Sequence, residues 1–246
     1  MQSKILSIKL YETFSFFEFD FDFLLEVIFS PQAAIYFYIE TNKKDVMKKS
    51  FGIIGAGNIG QTVAQHLLKA GFPVVISNSH GPDSLKGIVK SLGVGAKAGS
   101  VEDAAKADIV LLSLPWSQVS SLTGVADWTN KIVIDATNHF ITYAPDFQVA
   151  DLKGKSSSQV VAELLPGARI VKAFNTLSFK ILAEDPKQAG GRRVLFISGD
   201  DISSKLEVGE IIKALGFAVI DLGDLANGSK LQQAKGSVAS LNLIQL

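Results

Sequence analysis

Short apolar runs alternate along the chain with segments that repeat apolar residues at helical spacing. The runs read as strands and the other segments as helices. Strands are predicted at 51–54, 73–76, 96–99, 109–113, 131–135, 193–198 and 217–220, with a further one beginning at 169, and helices at 62–70, 82–92, 100–103, 156–165 and 203–215. Apolar strands separated by helices indicate a parallel sheet covered on both faces. The pattern therefore predicts an α/β fold, a doubly wound and mainly parallel sheet with a smaller C-terminal α/β portion.

A glycine turn joins the first predicted strand to the first predicted helix. Gly55 permits a tight turn, Gly57 leaves room for a pyrophosphate, and Gly60 lets the helix pack closely on the strand. The helix N-terminus then offers unpaired N–H groups to phosphates. This context predicts a Rossmann-type dinucleotide site; the alternative is a glycine turn that binds nothing. The expected backbone contacts are Gly55, Ala56, Gly57, Asn58, Ile59 and Gly60.

The residues after the second predicted strand bear on the choice of cofactor. An NAD site would place an acid here against the ribose hydroxyls, yet no acid occurs before Asp83. Instead Ser77, Asn78 and Ser79 can donate to a 2′-phosphate, and His80 can add charge when protonated. The segment favours NADP(H) over NAD, although it could be only a polar turn. If His80 contributes, NADPH affinity should weaken as the pH rises through neutrality.

Composition divides the chain near residue 47. Residues 1–46 hold eight of the 16 Phe and three of the four Tyr, but none of the 21 Gly. This segment could be a membrane anchor, an added edge strand, or translated sequence upstream of a start at Met47, and we favour the third. We accordingly divide the chain into an extension outside the functional domain (1–46), an NADP-binding domain (47–140) and a C-terminal portion that completes the fold and the substrate cleft (141–246).

Charge and residue usage exclude several classes of function. Lys and Arg balance Asp and Glu at 24 each, which argues against nucleic-acid binding. The absence of Cys removes thiolate chemistry, and the three histidines lie far apart in sequence, so we expect no metal site. We expect a cytoplasmic protein that does not bind membranes. The apolar tail at 238–246 would suit a homodimer contact.

Several segments resemble one family in particular. GIIGAGNIGQTVAQHLLKAG, ISNSHGPDSL, LSLPW, IDATN, LLPGARIVKAFNT and DLGDLANGSKLQQAKGSVASLNL are similar to the NADP oxidoreductases that reduce coenzyme F420, a deazaflavin. The reductase domains of membrane metalloreductases are similar in the same motifs. The likeness covers nearly everything after Met47, and the VKAFNT segment is more specific than the glycine motif.

The resemblance implies a role for individual residues. It implies phosphate contacts at Ser77, Ser79 and His80, a pyrophosphate on residues 56–59, and a nicotinamide side at Leu114 and Pro115. Many relatives have Arg at the position of His80, and often Pro at that of His139. The residues implied near the hydride-transfer cleft are Asn138, Ala173, Phe174 and Asn175.

The expected reaction follows from the shortage of proton donors. The Tyr-x-x-x-Lys pair of ketone reductases is absent, and Lys172 lies in a strand, where a structural role is favoured. His139 is the better acid candidate, unless it is an uninvolved loop residue. A flavin-like or deazaflavin ring takes hydride directly and needs no strong acid. We therefore expect hydride transfer between NADPH and such a small-molecule acceptor. The alternatives are an imine reductase resembling pyrroline-5-carboxylate reductase and a non-catalytic NADP sensor.

Overall fold

The computed structural model describes residues 49–246, so the predictions for residues 1–46 and for a start at Met47 lie outside the described part. The strands are β1 Phe51–Ile54, β2 Val74–Ser77, β3 Ala96–Ala98, β4 Ile109–Leu112, β5 Ile132–Asp135, β6 Arg169–Lys172, β7 Lys187–Gln188, β8 Gly191–Gly199, β9 Ala218–Asp221 and β10 Ile244–Gln245. The α-helices are α1 Asn58–Lys69, α2 Lys86–Leu92, α3 Val101–Ala105, α4 Ser157–Leu164, α5 Phe179–Leu182, α6 Ile202–Ala214 and α7 Gly228–Gln232.

Six parallel strands form the centre of the sheet, in the order β3-β2-β1-β4-β5-β6. β8 then pairs antiparallel with β6 and parallel with β9, while the two-residue strands β7 and β10 pair antiparallel with β8. The predicted fold class, a mainly parallel Rossmann-type sheet, is confirmed. Hydrogen bonding between β5 and β6 carries this sheet across residue 140, so the second and third predicted parts of the chain share one sheet.

The strands bury both faces because alternate side chains point to opposite sides. Ile53 of β1 packs in one apolar cluster with Val63 of α1 and Val208 of α6. Ile54, the next residue, packs in a second cluster with side chains from α3 and α4. Helices on both faces leave the carboxyl ends of the parallel strands at one edge, where ligands of such sheets bind.

The element boundaries differ from the predictions at a few places. α1 begins at Asn58 rather than at residue 62, because the helix starts directly after the glycine turn. The single helix predicted over 82–92 is a 3₁₀ turn, Pro82–Leu85, followed by α2. A second 3₁₀ turn, Trp116–Leu122, follows β4. Among residues 49–246, no helix combines the length and the apolar character that crossing a membrane would require.

Candidate functional site

Each glycine of the turn after β1 meets a different steric demand. Gly55 has a φ of +113°, and a Cβ there would lie 2.1 Å from the Ser113 carbonyl oxygen. A Cβ at Gly60 would lie 2.1 Å from the Gly55 carbonyl oxygen, so this glycine lets α1 approach β1. A Cβ at Gly57 would meet no atom within 4 Å. As far as the described part of the chain goes, the space in front of Gly57 is therefore open, and no side chain from that part caps the N-terminus of α1.

The loop after β2 is shaped by Asn78. Its Oδ1 accepts a 2.9 Å hydrogen bond from the backbone N–H of His80, and its Nδ2 donates to the Ser84 hydroxyl at 2.9 Å. The Ser79 and His80 side chains are exposed beside this turn. Asp83, the first acid after β2, is also exposed and pairs with Lys86 at 2.8 Å. The loop thus presents hydroxyl and imidazole groups to solvent, and its nearest acid has a lysine partner.

Ser77 does not share this exposure. Its side chain is fully buried, and its hydroxyl donates to the Ile53 carbonyl oxygen at 3.1 Å. The residue ties the end of β2 to β1, and its hydroxyl is already paired with that carbonyl. We therefore remove Ser77 from the expected phosphate contacts and retain Asn78, Ser79 and His80 as expectations.

A small cleft of about 150 Å³ lies between the glycine turn and this loop. Gly55, Asn78, Ser79 and Leu114 line it, as the motif spacing leads one to expect. Pro115, next to Leu114, is exposed. Most of the remaining lining comes from the segments after β3 and β4, and these residues were not predicted, although the ends of those strands predict loops at this same edge. These further lining residues are Val101, Glu102, Gln118, Ser121, Leu122 and Val125, and Ile54 at the end of β1 also lines the cleft.

The loops after β5 and β6 are joined by two asparagines. Asn138 Nδ2 donates to the Asn175 carbonyl oxygen at 3.0 Å, and Asn175 Nδ2 donates to Asn138 Oδ1 at 3.1 Å. Asn175 Nδ2 also donates to the carbonyl oxygen of Gln232 at 2.8 Å. The side chain of Gln232 is fully buried, donates to the Phe196 carbonyl at 3.0 Å and accepts from the Ser198 hydroxyl at 2.6 Å. A residue of α7 that the sequence did not single out thus holds the loop after β6 directly, and the loop after β5 through Asn175.

Phe174 has a left-handed backbone conformation, with φ at +63°. For a bulky side chain this conformation costs on the order of 1–3 kcal/mol, and such strain clusters at functional sites. The bonds from Asn138 and Gln232 to Asn175 hold the residue that follows it. The Phe174 ring and the Ala173 methyl group lie in the apolar core, at 2% and 0% exposure. The motif places these two residues near the hydride-transfer cleft, and with their side chains in the core it is their backbone that could face it.

A buried ion pair lies just below these loops. Lys172 Nζ is 3.0 Å from Asp135 Oδ2, and both side chains are fully buried. The carboxylate also accepts from the Ser158 hydroxyl and the Thr137 hydroxyl, each at 2.6 Å. Burial alone would raise the pKa of Asp135, but Lys172 and these hydroxyls outweigh it and hold that pKa below its ordinary value. Lys172 also donates to the Thr137 carbonyl, so its role is to fix the ends of β5 and β6.

His139 follows Asn138 at the same edge. Its side chain is 4% exposed, and its ring packs edge-on against Trp116 with centroids 6.2 Å apart. The Nδ1 atom is buried, and none of the described residues 49–246 gives it a hydrogen-bond partner. Burial, and then the charges of Lys172 and Lys235, lower the pKa of His139. The imidazole is therefore neutral at physiological pH, which opposes the expected role as a proton-supplying acid.

Comparison with known proteins identifies the family. Residues 50–139 match the family model described as "NADP oxidoreductase coenzyme F420-dependent". The chain is 30% identical over 183 residues to the metalloreductase STEAP3 of Rattus norvegicus, across 74% of this chain and 35% of that protein. It thus spans about a third of the length of the curated relatives it matches.

Two solved structures extend the comparison over most of the chain. A hypothetical protein from Sinorhizobium meliloti is 40% identical, with a TM-score of 0.76 over 85% of this chain and 99% of that one. A candidate F420-dependent NADP reductase from Arthrobacter sp. FB24 is 25% identical, with a TM-score of 0.64 over 72% of this chain and 86% of that one. Residues 50–139 of the chain therefore belong to the coenzyme F420-dependent NADP oxidoreductase family, a family of NADP-dependent oxidoreductases.

Proposed function

We propose that this protein transfers hydride from NADPH to a flavin-like or deazaflavin ring. NADPH supplies the hydride, and the ends of the parallel strands supply the surface on which donor and acceptor are brought together. Positioning is the main demand of such a reaction, because a ring acceptor takes hydride without first needing a proton. The observation that carries the proposal is the open glycine turn at Gly57, where no described side chain caps α1. A cleft lies next to this turn, and the acid of the β2 loop is paired with a lysine.

The residues present fit NADPH. The space in front of Gly57 would take the pyrophosphate against the first N–H groups of α1, which carry partial positive charge. Asn78 shapes the following loop so that Ser79 and His80 are exposed beside the cleft, where they would receive a 2′-phosphate. Glu102 also lines this cleft, and its carboxylate would lie near the adenosine side.

The ends of β5 and β6 support a ring acceptor over a ketone or an imine. The groups there that could supply a proton are committed elsewhere: Lys172 to Asp135, and Asn138 and Asn175 to each other. His139 is buried with a lowered pKa. The imine-reductase alternative also fits the C-terminal half less well. That family ends in a helical dimerisation region, whereas this chain returns to the sheet at β8 and β9.

The relatives add a competing acceptor. One structural relative is a candidate F420-dependent NADP reductase, and the matched curated relatives are metalloreductases. We favour the ring because a ferric ion accepts one electron at a time, whereas a ring can accept the hydride whole.

A panel of acceptors tests the proposal. The purified protein is given NADPH, and its oxidation is followed by absorbance with coenzyme F420, with FMN and with ferric citrate in separate reactions. We expect consumption with at least one ring acceptor, and none with ferric citrate alone. Oxidation of NADPH with ferric citrate only would show that the acceptor is a metal ion and not a ring. Tight binding of NADPH with no turnover in any reaction would favour the sensor.

A replacement in the glycine turn provides the matched control. The variant with leucine at Gly57 should lose NADPH oxidation in every reaction, because its side chain fills the space assigned to the pyrophosphate. Persistence of the activity in this variant would show that the observed oxidation does not use this site.

A further inference from the structure

His139 is surrounded by groups from three neighbouring elements. Trp116, at the start of the 3₁₀ turn after β4, packs edge-on against the imidazole. Lys172 comes from the end of β6, and Lys235 from the loop after α7; both are close enough for their charges to lower the pKa of His139. Asp135 is the carboxylate that faces Lys172. The imidazole therefore lies where the loops of the central strands meet the C-terminal loop.

The Nδ1 atom of His139 is unusual for a buried nitrogen, because no described residue forms a hydrogen bond with it. Buried polar atoms of folded proteins nearly always have a hydrogen-bond partner, and an unpaired one calls for an explanation. In the part of the chain that the structure describes, Nδ1 of His139 lacks one, whereas the neighbouring polar groups of Asn138, Asn175 and Lys172 are all paired. A buried ring nitrogen without a partner, beside paired neighbours, is the arrangement expected when a ligand provides the missing partner.

We propose that Nδ1 of His139 makes a hydrogen bond to the ring that accepts the hydride. This inference rests on the proposed function and names a residue that contacts the acceptor. The backbone of His139 is fixed for this task, since its carbonyl oxygen accepts a 2.9 Å bond from the Ala150 N–H at the base of the following loop. The ring packing with Trp116 fixes the orientation of the imidazole as well.

The charges around His139 suit such an acceptor. Hydride carries two electrons and one hydrogen nucleus, so NADPH leaves as NADP⁺ and a neutral ring becomes an anion. A neutral imidazole can donate from one ring nitrogen. An Nδ1–H bond to a carbonyl oxygen of the ring would strengthen as negative charge develops there, with the ammonium of Lys235 nearby. His139 thereby stabilises the reduced ring without giving up its proton.

Three substitutions separate the two nitrogens of the imidazole. His139→Asn places an amide close to the position of Nδ1, His139→Gln places one close to Nε2, and His139→Phe keeps a flat ring with neither nitrogen. Each variant is assayed for NADPH dissociation constant by fluorescence, and for kcat and KM with FMN and with coenzyme F420. Thermal unfolding shows whether each variant is folded.

We expect the asparagine variant to keep kcat/KM for the ring acceptor within about threefold of the wild-type value. The phenylalanine variant should lose about tenfold or more, and the glutamine variant should resemble it. The NADPH dissociation constant should change by less than about twofold throughout. The wild-type kcat/KM should also stay flat as the pH falls from about 8.5 to 6.5, because a neutral donor is needed and not an acid.

Other outcomes would overturn the inference. A phenylalanine variant with wild-type kcat/KM, or a glutamine variant that outperforms the asparagine variant, would show that Nδ1 makes no bond to the ring. Weakened NADPH binding in the phenylalanine variant would move the bond to the cofactor. If the wild-type protein reduces neither FMN nor coenzyme F420, the proposed function itself fails and this inference fails with it.

Discussion

Replacing Gly57 by leucine should separate cofactor binding from folding. The backbone of Gly57 has φ −75° and ψ −174°, an extended conformation that any residue adopts, and a Cβ there meets no atom within 4 Å. A larger residue is therefore accommodated by the folded chain. The same side chain would project into the space in front of α1 that we assign to the pyrophosphate.

The leucine should change the free energy of unfolding only slightly, because two opposing effects nearly cancel. Replacing a glycine without strain stabilises by about 0.4–1 kcal/mol, because the unfolded chain loses conformational freedom. A leucine at this N-cap position costs about as much, since apolar residues are poor caps. The net change in the free energy of unfolding should be within about 0.5 kcal/mol, or about 2 °C in Tm for a chain of this size.

The loss of binding should be much larger. We expect NADPH affinity to fall at least about a hundredfold, which corresponds to about 2.8 kcal/mol. Titration calorimetry with NADPH and thermal unfolding of the same preparation measure both quantities. Gly60→Ala provides a contrast, because its expected effect is on stability in the first place. Its Cβ would lie 2.1 Å from the Gly55 carbonyl oxygen, so it should lose about 1–3 kcal/mol of stability.

Two results would refute this reasoning. Wild-type affinity for NADPH in the leucine variant would show that the turn does not bind the pyrophosphate. A leucine variant that fails to fold would show that the turn has no open space in front of it.

Three further predictions concern the ion pair, the buried glutamine and the exposed histidine. Asp135→Asn should lower the free energy of unfolding by about 3–5 kcal/mol, because it leaves Lys172 as a buried charge without its counter-ion. The pKa of Asp135 is lowered in the folded state, so the stability that this carboxylate contributes should be complete above its unfolded pKa near 3.9 and be lost as the pH falls through its folded pKa. Urea unfolding of the wild-type protein and the variant at several pH values checks both predictions. Gln232→Leu should lower the free energy of unfolding by about 1–3 kcal/mol, because it removes the hydrogen bonds to the Ser198 hydroxyl and the Phe196 carbonyl. Wild-type stability of this variant in urea would contradict a stabilising role for these hydrogen bonds. His80→Ala should weaken NADPH binding and leave stability in urea unchanged, because it removes an exposed side chain beside the cleft, whereas unchanged NADPH affinity in this variant would remove His80 from the site.

The sequence predicts the layers of this fold well, because burial follows from the apolar pattern. β4 is apolar throughout and β5 is apolar up to Asp135 at its end, and the structure buries both strands on both faces. The glycine turn is also predictable, since the strand before it and the helix after it can both be recognised locally. The strands β7 and β10 have two residues each, which is too short for any periodicity to reveal.

Features of the site that depend on distant partners could not be predicted. Gln232 is 57 residues from Asn175 along the chain, and nothing in its immediate sequence indicates that contact. The spacing of the motif places Ser77 next to the phosphate loop, but only the structure reveals that its hydroxyl is buried against Ile53. The left-handed conformation of Phe174 is equally invisible, because phenylalanine has no preference for it.

The proposed hydride transfer is tested most directly by an isotope effect. Single-turnover reduction of FMN and of coenzyme F420 is timed with NADPH carrying deuterium at one or the other face of C4. We predict that deuterium on one face slows the reduction severalfold and deuterium on the other face leaves it unchanged. Equal rates with both labelled forms, or no reduction of either ring, would contradict the proposed function.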